Sequence, residues 1–396
     1  MTSAVRKRFS YLNRDLKLIF VFNFFSGSGA GLILPLLPLY VRKLGGGSQE
    51  ISFVFSVGLI LWGISVFLGG IIADRFERKK IIILHWLVSS PTFFVCFLAQ
   101  SWEFILLGYA LYNVSGIGAS GVDTYVSSSI KKEEVIRAFT TLESAYYVPP
   151  VVFSLLAAYL VPITGMRDLF GIAFVICLCA GFSVLFISPQ EPEKKEQMER
   201  KISAGYIDSL KNRAFLSLMP LFFFIGLGSS IFLPFLTPLL EDVYLLSLSA
   251  ILVLNAIKAA GLGIWSIGFG QIGDYLGVEK ALAINLLFAS VSMLLLAFNV
   301  PILSLYLIIF IFGGISVLDY LCQGLIGVYF REKGFLGSMY SIFTLSFCIG
   351  GSVGAFLGGI FYDKSPSFPA IIGALLLFCL IPVVICLIRR ITSEGY

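Results

Sequence analysis

Four ionisable residues stand deep inside long apolar runs of this 396-residue chain: Asp123, Glu143, Lys258 and Asp319. A charge near a bilayer centre costs about 2.5–3.5 kcal/mol on insertion scales, so each one retained there marks a candidate site. A carboxyl held away from water is the group a proton carrier needs, which singles out Asp123 and Glu143. A lone ammonium there can pair with a neighbouring carboxylate or with an anionic part of a solute. Helical spacing gathers polar neighbours around these charges. Tyr109, Asn113, Gly116, Ser120, Asp123 and Ser127 share one face, and Asn255, Lys258, Leu262 and Trp265 share another. Ser316, Asp319 and Gln323 form a third, Asn23, Ser26 and Ala30 a fourth, and Tyr112, Tyr146 and Tyr147 add aromatic surface.

The elements that carry these faces must be membrane helices. Hydrophobic residues make up 58% of the chain and charged ones 13%, too few to coat a soluble core of this length, and the mean hydropathy is +0.94. Twelve apolar segments fall near 16–41, 50–73, 80–99, 103–128, 137–160, 168–188, 213–239, 247–270, 281–299, 302–329, 335–361 and 368–388. Their length, without the alternation of lipid-facing strands, predicts an all-α membrane protein of twelve transmembrane helices. The basic N-terminal arm before the first run is expected to precede a retained span, because no small-residue cleavage site follows it. The charged stretch within 189–212 is the one substantial polar segment. It divides the chain into a six-helix bundle over 1–188, a linker over 189–212 carrying a short helix near Tyr206 to Leu210, and a second six-helix bundle over 213–396.

Basic residues set the orientation. Twenty-three of the 28 lysines and arginines fall in the loops on the side of both termini and the linker, against four on the other side. The expectation is that both termini and the linker are cytoplasmic. On depth counting, Lys258 and Asp319 each lie about 12 residues from that side, which predicts an ion pair between them, with Glu143 about a turn shallower.

The halves repeat. Gly27-Ser-Gly-Ala-Gly-Leu-Ile-Leu-Pro35 has its counterpart in Gly226-Leu-Gly-Ser-Ser-Ile-Phe-Leu-Pro234, and Gly70-Ile-Ile-Ala-Asp74 in Gly270-Gln-Ile-Gly-Asp274, at offsets of 199 and 200. Prolines at matching places predict bent spans beside a pathway. In the loop after span 2, a glycine permits close helix approach, Asp74 can face a helix N-terminus, and Arg75, Arg78 and Lys79 supply bases. The segment Gly70 to Lys80 closely resembles the loop motif of the major facilitator superfamily, and Gly270 to Lys280 resembles its degenerate second copy. Together with six plus six spans and a long central linker, this resemblance covers the whole chain. It implies two pseudo-symmetric six-helix bundles, a central cavity lined by spans 1, 4, 7 and 10, lipid-facing span 3, and loops (Gly70, Asp74, Arg75, Arg78, Lys79, Gly270, Asp274) that latch the halves on the cytoplasmic side. It also places spans 5 and 8 at the boundary between halves, where Glu143 would compete for Lys258. Glu77 departs from the motif, which has glycine there, and so bears on the turn geometry. Tyr112 stands where a span-4 motif has arginine, and Tyr147-Val-Pro149-Pro150 replaces the Gly-Pro of drug antiporters.

The expected activity is secondary transport of a small organic solute by alternating access in the plasma membrane, coupled to protons, by a monomer embedded in lipid. The expected pathway residues are Asn23, Asn113, Asp123, Glu143, Tyr146, Asn255, Lys258, Trp265, Asp319 and Gln323. An integral-membrane enzyme acting on a lipid-like substrate would need clustered acids and histidines, and His85 is the only histidine. A channel or receptor would not explain the repeat, and an uncoupled facilitator is the nearest alternative. No phosphate-cradling glycine loop with lysine is present, so ATP is not the direct energy source. The bases sit in short loops with no basic, aromatic-interleaved patch, which excludes nucleic acid. The seven cysteines all fall in apolar spans and read as packing residues, so neither a metal nor a cofactor is expected. Gly350, Gly354 and Gly358 form a stripe suited to helix packing, and His85 reads as structural.

Overall fold

A computed structural model of the protein describes residues 12–73, 75–130, 134–190, 205–330 and 336–393. Its helices follow the apolar segments closely. They are α1 (Arg14–Lys43), α2 (Ser48–Ala73), α3 (Arg78–Phe97), α4 (Trp102–Ser128), α7 (Arg213–Asp242), α8 (Leu248–Leu276), α9 (Val278–Ala297), α10 (Ile302–Phe330), α11 (Leu336–Lys364) and α12 (Phe368–Ser393). Between α4 and α7 an apolar helical stretch runs from Arg137 to Leu185. Forty-nine residues would extend about 74 Å as one helix, more than twice a bilayer's hydrocarbon thickness. Gly165, with φ 84° and ψ 169°, breaks it into α5 (135–164) and α6 (166–185), so twelve spans result. The linker's last stretch, 205–211, is helical as expected, and Tyr206 packs on Phe67 of α2 at 5.1 Å.

The repeat is visible in the backbone. Four helices change to a single turn of 3-10 helix near their middles: α1 at Leu34–Leu36, α4 at Ser115–Gly118, α7 at Leu233–Phe235 and α10 at Gly313–Ser316. In α1 and α7 that turn is centred on Pro35 and Pro234, which cannot donate to the helical ladder. Mid-helix 3-10 turns commonly mark hinges. The side chains that brace them repeat as well: His85 Nδ1 lies 2.6 Å from the Ser115 carbonyl, and Asn285 Nδ2 donates to the Gly314 carbonyl at 3.1 Å. His85 is thus structural, resting edge-on against Phe22.

Close packing inside each half uses glycine. Side chains at Gly350, Gly354 and Gly358 of α11 would collide with the carbonyl oxygens of Phe223, Leu227 and Ile231 in α7. In the N-terminal half Gly27 and Gly31 of α1 meet Tyr146 and Pro150 of α5 in the same way. Between the halves α2 packs along α11, where Ser56 donates to the Ser352 carbonyl at 2.9 Å, and α8 packs on the Pro149–Leu185 segment. Cys96, Cys177, Cys322 and Cys348 are buried, whereas Cys179, Cys379 and Cys386 are exposed on their helices rather than packed.

Candidate functional site

The two ends of the bundle differ. At the end opposite the linker, Arg42 of α1 reaches across to α7. Its two terminal nitrogens hold Asp242 at 2.9 and 2.8 Å, and one lies 3.4 Å from Glu241. Tyr362 of α11 donates to the same Asp242 carboxylate at 2.7 Å, and the guanidinium lies over its ring. Gln49 of α2 donates to Asp363 at 2.8 Å. These contacts tie the N-terminal half to the C-terminal half.

Asp123 and Glu143 lie in the linker-side parts of their helices. Asp123 of α4 and Glu143 of α5 are enclosed by protein yet exposed, as on a cavity wall, and close enough to repel each other. Inward of them runs a line of tyrosines. Tyr109 and Tyr112 stack with planes 8° apart, the Tyr112 and Tyr146 hydroxyls are 2.7 Å apart, and Tyr146 meets Tyr147 edge-on. Tyr147 meets Tyr320 of α10 edge-on at 6.3 Å, crossing from one half to the other. Beside Tyr320, Asp319 accepts from Gln323 Nε2 at 3.0 Å. Glu143 on one side and Asp319 on the other both act electrostatically on this Tyr147–Tyr320 pair.

The expected ion pair between Lys258 and Asp319 is not formed, nor does Lys258 pair with Glu143. The reason lies in helix length. α8 continues six residues past the expected end at 270 to Leu276, so Lys258 stands 18 residues from that end. Asp319 stands 11 residues before Phe330, so the two differ in depth by about 10 Å. Among the described residues Lys258 has no hydrogen-bond or ion-pair partner, and it keeps partial exposure.

Other expected pathway residues make hydrogen bonds within or between helices. Asn23 donates to the Leu142 carbonyl at 3.0 Å, joining α1 to α5. Asn113 is buried against Gly58 and donates to Tyr109 O. Trp265 donates to Phe310 O at 3.2 Å and packs on Phe269 and Phe288, away from the tyrosine line. Asn255 donates to Ile251 O, and its own oxygen is buried without a partner.

At the linker end Arg78 is buried, joining Ser128 and Gln190 within the N-terminal half. Gly70 abuts Ser341 of α11 and Tyr206. Arg75 and Lys79 occupy the start of α3 and the turn before it. Asp74 lies outside the described residues. Gly270 has open space around it and Asp274 is exposed. Glu77 turns with φ −56°, a backbone any residue adopts, and pairs with Lys80 at 2.9 Å, so no glycine is needed. The second copy does use its glycine, Gly277 at φ 96°.

Sequence reasoning missed the Arg42–Asp242–Tyr362 cluster and Tyr320. A signal was present for the first: Arg42 and Glu241, repeat counterparts at the offset of 199, carry opposite charges, and Asp242 adjoins the second.

The comparisons with known proteins agree with this architecture. The multidrug resistance protein MdtG of Enterobacter lignolyticus is 28% identical over 297 residues, covering 72% of this chain and 69% of its own. The multi-drug resistance efflux pump PmrA of Streptococcus pneumoniae is 23% identical, covering 87% and 88%. Among solved structures, a POT family transporter in complex with 5-aminolevulinic acid superposes with a TM-score of 0.79 at 14% identity, covering 96% of this chain and 97% of its own. The nucleoside transporter NupG gives 0.74 at 12%, covering 97% and 100%. These likenesses show the fold. The family model of the Major Facilitator Superfamily matches residues 19–318, and the chain belongs to that superfamily of membrane transporters.

Proposed function

We propose that this chain is a secondary transporter that exports small amphipathic solutes by alternating access, driven by protons. One observation carries the reading: the halves are pinned together at one end by Arg42, Asp242, Glu241 and Tyr362, while Asp123 and Glu143 remain open toward the other. A carrier caught with one gate closed has that asymmetry, and the four 3-10 turns supply places to bend. Basic residues concentrated in the linker-side loops support a cytoplasmic placement of that end and of both termini. The rocking bodies are 1–188 and 213–396, joined by the linker 189–212, and a single chain suffices. The named activity of the MdtG and PmrA relatives supports export. Asp123 and Glu143, two carboxyls that repel each other within the spans, are the groups to carry the proton.

The test is transport in proteoliposomes under an imposed pH gradient, with ethidium as a cationic probe and naphthalene-2-sulfonate as an anionic one. Movement of either probe that follows the gradient and stops when an ionophore collapses it supports the reading. Movement indifferent to the gradient would make the protein an uncoupled facilitator. Folded protein that moves neither would remove the assignment.

A further inference from the structure

Lys258 is a base deep inside a span, and among the described residues its ammonium has no counterion. The carboxylates that could neutralise it are engaged elsewhere or lie at another depth. Asp319 holds Gln323, and Asp123 and Glu143 face each other near the linker end. One turn toward the far end, on the same face of α8, Asn255 is 4% exposed and its side-chain oxygen has no hydrogen-bond partner. An uncompensated cation and an orphaned acceptor on one face are costly unless something else completes them.

The backbone at this point is also held. A side chain on Gly313 would collide with the Lys258 carbonyl, and one on Gly261 with that of Phe310, so α8 and α10 touch backbone to backbone here. Gly313 opens the 3-10 turn of α10. A ligand at Lys258 therefore sits beside a bending point of the helix that carries Asp319 and Tyr320.

We infer that Lys258 is the recognition site for an anionic group, a carboxylate, sulfonate or phosphate, on the solute, with the solute's apolar part against the tyrosine line. This deepens the transport reading and rests on it for the identity of the ligand as cargo. The ion pair would supply the counterion that Lys258 lacks, and the Asn255 oxygen would accept from a donor next to the anionic group.

The test compares naphthalene-2-sulfonate with its neutral sulfonamide, which keep one ring system and differ in charge. Binding to purified protein is measured by calorimetry for wild type, Lys258→Gln and Lys258→Arg. The expected result is that sulfonate binds wild type and Lys258→Arg about tenfold more tightly than sulfonamide, the factor of one charge-assisted hydrogen bond. In Lys258→Gln the preference disappears while sulfonamide affinity is unchanged. A wild type that binds both probes equally, or binds neither, overturns the inference, as does a preference that survives in Lys258→Gln. Thermal melting with and without sulfonate reads the same comparison if calorimetry signals are small. The readout is independent of transport: Lys258-dependent binding in a protein that moves no solute would keep the site and discard the carrier.

Discussion

Arg42 of α1 grips Asp242 of α7 through paired contacts of 2.9 and 2.8 Å at the matching ends of the two helices, where the repeat offset of 199 makes Glu241 the counterpart of Arg42. This ion pair joins the two halves at the end opposite the linker. Its side chains are only partly exposed, at 23% and 35%, and Tyr362 adds a third partner, so it exceeds an ordinary surface pair.

In the loops that follow, Gly45 and Leu245, 200 residues apart, both turn with positive φ, at 89° and 52°. A left-handed backbone costs a residue with a Cβ about 1–2 kcal/mol, and Leu245 is 84% exposed, so it gains little packing in return. Leu245→Gly is expected to stabilise the protein by about 0.5–1 kcal/mol after the added freedom of the unfolded chain is subtracted. A thermal midpoint in detergent that falls would contradict this.

The two copies of the loop motif should respond unequally to alanine. Glu77→Ala loses a pair with the exposed Lys80, worth about 0.5–1 kcal/mol or less, from a turn of ordinary geometry. Gly277→Ala places a Cβ at φ 96° and is expected to cost about 1–2 kcal/mol. Comparing the two melting midpoints checks the order.

His85 and Asn285 do one job at equivalent positions, each holding a carbonyl at a 3-10 turn. His85→Asn is therefore expected to keep most of the stability. His85→Leu strands the Ser115 carbonyl and should cost about 1–3 kcal/mol. Equal melting of the two variants would show that the contact is incidental.

Asp123→Asn and Glu143→Gln separate coupling from binding. Each is expected to reduce gradient-driven transport about tenfold or more while leaving exchange without a gradient largely intact. Loss of both activities together would assign these carboxyls to the solute instead.

The twelve spans, their pairing into repeats and the bends at Pro35 and Pro234 were legible because composition and periodicity over some twenty residues fix a membrane helix. Depth was not. α8 runs on through Gly270 and Asp274 to Leu276, since the turn waits for Gly277, and that shift of six residues removed the expected Lys258–Asp319 pair. Nor could helical faces alone tell a cavity from a neighbour: Asn113 shares a face with Asp123 yet turns into a helix contact, the 3-10 turn at Ser115–Gly118 lying between them, and Trp265 packs on Phe288 and Phe310 of neighbouring helices. The Arg42 cluster escaped notice because short loop charges ordinarily only set topology.

The most direct test of the account is the distance between the two halves at the far end. Spin labels at Lys43→Cys and Leu245→Cys, both exposed, report it by pulsed electron resonance in lipid nanodiscs. The account predicts one short, narrow population for the parent protein. Replacing Arg42 with alanine should add a longer population, and Arg42→Asp combined with Asp242→Arg should restore the short one. A single distance that is indifferent to Arg42 and Asp242 would contradict the claim that this pair closes one gate of a carrier.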